Sequence, residues 1–118
     1  MAEKGAGGRP AQDFAIMWIL ENEAPEPERV TFRIADGTVK TIGRSTGAEF
    51  IVEAALVSRL HCQISAAGGS LHVKDLGSTN GTFVNGRRIR SAELKDGDRL
   101  AVGRIELKVS RHRKSPRG

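Results

Sequence analysis

The sequence is poor in cysteine and has no long apolar run, and each absence excludes a class of protein. The single cysteine, Cys62, cannot form an internal disulfide, and its place in an alternating run predicts a buried strand residue in a reducing compartment. The longest apolar stretch, residues 15–20, is far too short to span a membrane. Residues 1–10 lack the hydrophobic segment of a secretion signal. We therefore expect an intracellular protein without a membrane segment.

Signatures of catalysis and of metal binding are also missing. The three histidines and Cys62 show no metal-ligand spacing, and no Gly-Lys-Ser/Thr follows the glycines at 5–8, as a phosphate-binding loop would require. Ser58 and His61 resemble a nucleophile and its base, but a hydrolase also needs an orienting group and an oxyanion site, and no Gly-x-Ser-x-Gly turn occurs. We therefore predict no enzymatic activity, no metal and no cofactor.

Positive charge is concentrated at one end of the chain. The formal net charge is +5, but residues 14–110 carry 13 bases and 12 acids, whereas residues 111–118 carry four bases and no acid. A sequence-independent nucleic-acid binder would carry a basic stripe on its folded surface. The tail is interpreted as a solvated, flexible end, with a targeting signal, a linker or a nucleic-acid contact as alternatives.

Short alternating runs separated by turn dipeptides predict an all-β chain. Residues 30–34, 62–65 and 105–109 alternate with period two, and Asn85-Gly86 predicts a type I′ hairpin turn. About ten or eleven short strands and no convincing helix indicate an antiparallel β-sandwich. The expected organisation is a disordered head at 1–13, one domain at 14–110 and a flexible basic tail at 111–118.

Three predicted loops hold polar residues suited to a phosphate group. They cover residues 43–45, 58–61 and 77–82, each at a strand end, so they can meet at one pole of a sandwich. Arg44 offers a planar pair of donors to phosphate oxygens, and Ser58, Ser78 and Thr79 offer hydroxyls. Asn80 can both donate to and accept from a peptide backbone. This set suits a dianion with three acceptor oxygens.

These loops resemble the signature of the forkhead-associated (FHA) family. The resemblance is carried, in order and spacing, by Ile42-Gly43-Arg44, by Val57-Ser58-Arg59-Leu60-His61 and by the run from Asp75 to Gly86, and it extends over residues 14–110. It implies an FHA/SMAD-like sandwich that binds phosphothreonine.

The resemblance also implies a role for each binding residue. Arg44 resembles the arginine that pairs with phosphate, and Ser58 and Thr79 resemble residues that hydrogen-bond it. Arg59 takes a position that often contacts phosphate or peptide, and Asn80 resembles the asparagine that holds the peptide main chain. With Ser78 these form the expected phosphopeptide-binding set.

Structural roles are implied for a second group of residues. His61 resembles a histidine that supports the loops, and Gly43, Gly81 and Gly86 resemble turn glycines, with Asn85 in the last turn.

The implied function is phosphothreonine-dependent peptide binding in signalling, with phosphothreonine-containing protein segments as partners. The resemblance further suggests a nuclear protein of DNA-damage or cell-cycle pathways. The abrupt basic end suggests a piece of a longer protein or a small adaptor, and we expect a monomer or weak oligomer. The alternatives are a phosphate-independent scaffold or dimerisation domain and nucleic-acid contact through the tail.

Overall fold

The computed structural model describes residues 15–26 and 28–114, and the predicted head at 1–13 lies outside them. Eleven strands and no helix occur in this part of the chain, which confirms the predicted fold class. The strands are β1 (Ala15–Glu21), β2 (Thr31–Ala35), β3 (Val39–Gly43), β4 (Phe50–Ile51), β5 (Cys62–Ala67), β6 (Ser70–Asp75), β7 (Thr82–Val84), β8 (Arg87–Ile89), β9 (Ser91–Leu94), β10 (Arg99–Val102) and β11 (Ile105–Lys114). No helix in the described residues is long and apolar enough to cross a membrane.

The strands form two packed sheets. One has five strands in the order β9-β6-β5-β3-β4, and the other has six in the order β2-β1-β11-β10-β7-β8. Every ladder is antiparallel except β3–β4, where Ile42 pairs with Phe50 and Gly43 with Ile51 in parallel. This pair departs from the fully antiparallel sandwich that the sequence predicts, because the loop after β3 turns the chain back far enough to run alongside it.

The core lies between the sheets and follows the alternation of the sequence. On β5, Cys62, Ile64 and Ala66 are buried, and the intervening side chains are partly exposed. Leu107 and Val109 on β11 are fully buried in the same way. Alternate burial on both sheets removes apolar surface from water, which is the main stabilising contribution to a sandwich of short strands.

Strand β11 extends beyond the predicted domain boundary at residue 110. Residues 111–114 pair with β1 up to Lys114 opposite Ala15, and the Arg111 N–H donates to Asp96 Oδ1 at 2.7 Å. The first part of the predicted flexible tail is therefore sheet. Residues 111–113 are polar and exposed, so a search for apolar alternation does not find this part of the strand. Residues 115–118 lie outside the described part.

The directions of the strands place the connections between them at two poles of the sandwich. β3 runs from the turn at Asp36 and Gly37 towards Arg44, and β5 runs from His61 towards the turn at Gly68 and Gly69. The first loop (residues 44–49), the second loop (52–61) and the third loop (76–81) therefore meet at one pole, called here the cavity pole. The turns at 36–37 and 68–69 form the far pole, where Asp36 accepts from both glycine N–H groups.

The β7–β8 hairpin has the predicted turn. Asn85 and Gly86 connect Val84 to its partner Arg87, with φ of 52° and 83°. Positive φ at both central residues is the requirement of a type I′ turn, which Asn-Gly meets with little strain.

Candidate functional site

An open depression of about 580 Å³ lies at the cavity pole between the three loops. Its lining contains two guanidinium groups, three hydroxyls and no carboxylate, so its field favours an anion. The lining residues are Arg44, Ser45, Gly47, Ser58, Arg59, Leu60, Gly77 and Thr79.

Arg44 is held at the cavity by the second loop. Its backbone N–H donates to Ser58 O at 2.9 Å, and its Nε donates to Val57 O at 2.9 Å. Using Nε in this way fixes the plane of the guanidinium and leaves the two terminal nitrogens for a ligand.

Ser58 joins the second loop to the third. Its Oγ accepts the backbone N–H of Thr79 at 3.0 Å. Because this bond uses an acceptor lone pair, the Ser58 hydroxyl proton remains to be donated into the cavity. Thr79 is exposed and adds a second hydroxyl there.

Arg59 lies against the end of β3. Its carbonyl accepts from Ser45 N at 3.3 Å and Ser45 Oγ at 3.2 Å, while its exposed side chain lines the cavity. A Cβ placed on Gly43 would lie 2.0 Å from this carbonyl oxygen. Glycine at position 43 is therefore required by close backbone approach, since its φ is not positive.

His61 connects the second loop, to which it belongs, with the third loop. Its side chain is fully buried; Nδ1 accepts the Ser58 N–H at 3.0 Å, and Nε2 lies 2.8 Å from Gly81 O. Since a carbonyl can only accept, Nε2 carries the proton and the ring is the Nε2–H tautomer. Its backbone also bonds Ile42 and Leu76. The supporting role that the family resemblance implies for His61 stays a prediction, and these contacts are the ones through which it would act.

Asp75 organises the third loop, a role that the sequence analysis did not give it. Its carboxylate accepts from Gly77 N, Ser78 N, Ser78 Oγ and Thr82 Oγ1. Burial raises the pKa of Asp75, but hydrogen bonds from Ser78, Thr82 and Gly77 outweigh burial and lower its pKa below the ordinary carboxyl value. The signal in the sequence is an aspartate followed two and three residues later by turn formers, the pattern of an Asx turn.

Ser78 differs from expectation. Its hydroxyl donates to Asp75 and accepts the N–H of Gly81, and the residue is only 9% exposed and does not line the cavity. Both hydrogen-bonding functions are used within the loop, so the hydroxyl is not available to a ligand. Among the expected binding residues, the cavity brings together Arg44, Ser58, Arg59 and Thr79.

Asn80 lies outside the cavity lining but beside it on the third loop. It is exposed, and its Nδ2 donates to Leu56 O at 3.0 Å, which ties the third loop to the second. Its neighbour Gly81 has φ of 90°, and a Cβ there would lie 2.7 Å from Nε of Arg88. Asn85 and Gly86 lie in the β7–β8 turn, away from the lining set.

Four lining residues were not predicted as binding residues: Ser45, Gly47, Leu60 and Gly77. The residue type of a glycine or an exposed leucine does not indicate a binding role. These residues line the cavity because the three loops come together there.

Cys62 is buried, and its environment disfavours the thiolate. Burial, reinforced by the negative charge of Asp75, raises the pKa of the Cys62 thiol to about 12, although a hydrogen bond with Thr82 opposes the shift. The thiol is therefore neutral near pH 7. Among the described residues, no three metal-ligating side chains lie together.

Curated relatives share this sequence over most of its length. The chain is 38% identical to the ABC transporter ATP-binding/permease protein Rv1747 of Mycobacterium tuberculosis, over 86% of this chain and 11% of that protein. It is 34% identical to the glycogen accumulation regulator GarA of Mycolicibacterium smegmatis, over 63% of this chain and 47% of that one. The chain thus spans less than half the length of these two relatives. They are bacterial, so the expectation of a nuclear, DNA-damage protein gains no support from them.

Solved structures match the fold and name a class of ligand. A domain from a study of phosphothreonine-dependent FHA domain interactions has a TM-score of 0.70 at 32% identity, covering 83% of this chain and 97% of that one. The FhaA FHA domain complexed with the intracellular domain of Rv3910 has a TM-score of 0.67 at 32% identity, covering 80% and 98%. Mycobacterium tuberculosis EmbR in complex with a low-affinity phosphopeptide has a TM-score of 0.69 at 27% identity, covering 80% and 24%.

A family model describes the same region. The model of the FHA domain matches residues 40–103, which include all three loops of the cavity pole. FHA domains are interaction modules, and the neighbouring structures include complexes with a phosphopeptide and with a protein domain. From the match of more than half its length, the chain belongs to the FHA domain family.

Proposed function

We propose that this domain binds phosphothreonine-containing protein segments, with the phosphate in the cavity between the three loops. The observation that carries the proposal is the lining itself, in which Arg44, Ser58, Arg59 and Thr79 face one open depression that contains no carboxylate. A phosphate dianion presents three acceptor oxygens, and these residues supply donors for each of them.

The energetics are sufficient for a signalling interaction. A hydrogen bond to a charged group contributes about 1.5–3 kcal/mol. Several such bonds to phosphate, reduced by the cost of ordering a peptide, reach the roughly −8 kcal/mol of a micromolar complex. The unphosphorylated segment lacks these bonds, so we expect it to bind far more weakly than the phosphorylated segment.

Selection of the peptide rather than free phosphate is assigned to Asn80. Its Nδ2 is held by Leu56 O, and its Oδ1 makes no hydrogen bond within the described part of the chain. The carboxamide is therefore oriented with an acceptor available for a peptide N–H beside the phosphothreonine. The preference for phosphothreonine over phosphoserine stays an implication of the family resemblance.

The test is an oriented phosphothreonine peptide library, followed by titration of the best sequence in phosphorylated, unphosphorylated and phosphoserine forms. Arg44→Ala and Ser58→Ala should each abolish measurable binding, a loss of about a hundredfold or more, with the fold retained. Asn80→Ala should weaken binding. Equal affinity for the phosphorylated and unphosphorylated peptides would instead support a phosphate-independent scaffold.

Matched controls separate local chemistry from charge and folding. Arg33→Ala removes an exposed arginine from β2 of the other sheet, and Ser70→Ala removes a serine near the far pole. Both should bind as wild type does. Wild-type affinity in Arg44→Ala or Ser58→Ala would show that the phosphate binds elsewhere.

A further inference from the structure

A second cavity adjoins the first at Gly77. It has a volume of about 570 Å³ and is lined by Lys74, Asp75, Gly77, Arg90 and Ser91. Gly77 also lines the phosphate cavity, so the two depressions are neighbours at the start of the third loop. No function assigned so far uses the second one.

The second cavity carries two cations that have no carboxylate partner in the described part of the chain. Lys74 and Arg90 are both exposed, and neither makes a salt bridge within the described residues. Asp75 is the acidic residue of the lining, and its carboxylate already accepts four hydrogen bonds from Gly77, Ser78 and Thr82. The lining therefore holds two positive charges against one negative charge that is satisfied inside the third loop.

Backbone pairing holds the positions from which Lys74 and Arg90 project. The Asp75 N–H donates to Arg90 O at 2.7 Å, and Lys74 is opposite Ser91 in the β9–β6 ladder. Ser91 adds an exposed hydroxyl beside Lys74. The same face of this ladder also carries His72 and Glu93. They stand opposite each other two residues along the strands from Lys74 and Ser91. Lys74 and Ser91 lie on strands, and Arg90 lies at the bend between β8 and β9, where its carbonyl accepts the Asp75 N–H. Groups on hydrogen-bonded backbone need less ordering on binding than groups on free loops.

We propose that the cavity of Lys74, Arg90 and Ser91 is a second anion subsite, which binds a phosphate or carboxylate carried by the same segment a few residues from its phosphothreonine. This inference rests on the proposed function, because the phosphothreonine must occupy the first cavity. Once it does, a second anion on the same chain binds intramolecularly at high effective concentration. The preferred ligand is thus a doubly anionic segment, and a phosphorylated second residue binds more strongly than an acidic one because it carries more charge.

The experiment uses the best phosphothreonine peptide from the library and scans a second phosphoserine, a glutamate and an unmodified serine through positions four before to four after the phosphothreonine. Fluorescence anisotropy at fixed ionic strength gives each Kd. We expect one position at which phosphoserine tightens binding about tenfold and glutamate tightens it less, relative to serine.

Charge-removing variants assign the gain to the second cavity. In the double variant Lys74→Gln/Arg90→Gln the tenfold gain should disappear while the Kd of the singly phosphorylated peptide stays as in wild type. The double variant Arg33→Gln/Lys108→Gln removes the same charge from exposed positions on the other sheet and should keep the gain. Equal loss of gain in both double variants would show long-range attraction and overturn the subsite.

The two proposals fail in different ways. A library without a binder counts against the phosphothreonine site and the inference that depends on it. A singly phosphorylated peptide that binds, with no gain from a second anion at any position, overturns the second subsite alone.

Discussion

At the far pole the chain reverses in tight turns, whereas at the cavity pole three longer loops depend on one another. Gly37, Gly68 and Gly69 have positive φ and open space where a Cβ would project, and the Asp36 carboxylate joins their two turns. At the cavity pole, side-chain hydrogen bonds cross between loops in five places among the described residues, from Arg44 to Val57, from Ser45 to Arg59, from Ser58 to Thr79, from Asn80 to Leu56 and from His61 to Gly81.

The difference determines how far a substitution acts. A turn whose conformation is set by its own glycines can be strained without moving its neighbours. A loop whose position is set by bonds to other loops transmits any displacement to them, because each lost bond leaves a polar group without its partner. Stability and ligand binding should therefore change together at the cavity pole and separately at the far pole.

The largest effect is expected for Gly43→Ala. The added Cβ would lie 2.0 Å from the carbonyl oxygen of Arg59, and backbone atoms on both sides cannot move away cheaply. We expect a loss of about 4 kcal/mol in the free energy of unfolding, measured by urea denaturation, and loss of phosphopeptide binding.

Gly47→Ala is the matched control in the same loop. The nearest atom to its Cβ would be Ser45 Oγ at 3.5 Å, an ordinary contact. It should unfold within about 1 kcal/mol of wild type. Identical urea midpoints for the two variants would contradict the close approach at Gly43.

His61→Ala should cost about 3 kcal/mol, because it opens a cavity under the loops and leaves Ser58 N and Gly81 O without partners. Amide NMR signals of both the second and third loops should shift. His72→Ala, at an exposed position on β6, should change stability by less than about 0.5 kcal/mol. If the amide signals shift in the second loop alone, His61 does not connect the second loop to the third.

The fold could be predicted from the sequence because its elements are specified locally. Asn85-Gly86 predicts its turn since both central residues need positive φ, and the alternation around Ile64 predicts which face of β5 is buried. The final four residues of β11 could not be found, because they pair with β1 through the backbone and residues 111–113 expose polar side chains to solvent. Strand β9 was missed for a similar reason: among its residues, Leu94 alone is fully buried.

The candidate site was predicted less completely than the fold. Residue type indicates what Arg44 and Ser58 can donate, and their meeting follows from the sandwich topology. Residue type does not reveal which hydroxyls are already used. Ser78 and Thr79 look equivalent in the sequence, yet Asp75 and Gly81 use both hydrogen-bonding functions of the Ser78 hydroxyl, while Thr79 faces the cavity.

Asp75→Asn should cost about 2 kcal/mol at pH 7, since an amide nitrogen would replace an oxygen that accepts N–H and O–H donors. The pKa of Asp75 is lower in the folded state than its reference value of 3.8. Its contribution to stability is therefore complete above about pH 5 and is lost as the pH falls below 3.8 through the folded-state pKa.

Urea denaturation of wild type and Asp75→Asn between pH 7 and pH 2 measures this loss. The difference between their free energies of unfolding should become smaller as the pH falls. Asp36→Asn is the comparison at the far pole, where the exposed carboxylate accepts two N–H groups, and it should cost less than about 1 kcal/mol. If the difference in free energy of unfolding between wild type and Asp75→Asn stays constant down to pH 2, the charge of Asp75 does not support the third loop.

A small effect on stability, and none on ligand binding, is expected for Gly69→Ala at the far pole. Gly69 has φ of 81° and nothing lies within 4 Å of a Cβ built there, so backbone strain is the sole cost, about 1 kcal/mol. Its N–H bond to Asp36 survives the substitution. Because no bond links this turn to the three loops among the described contacts, the Kd for a phosphothreonine peptide should equal that of wild type. A variant with normal stability and weakened binding would show that the poles are coupled, and the independence of the far pole would have to be abandoned.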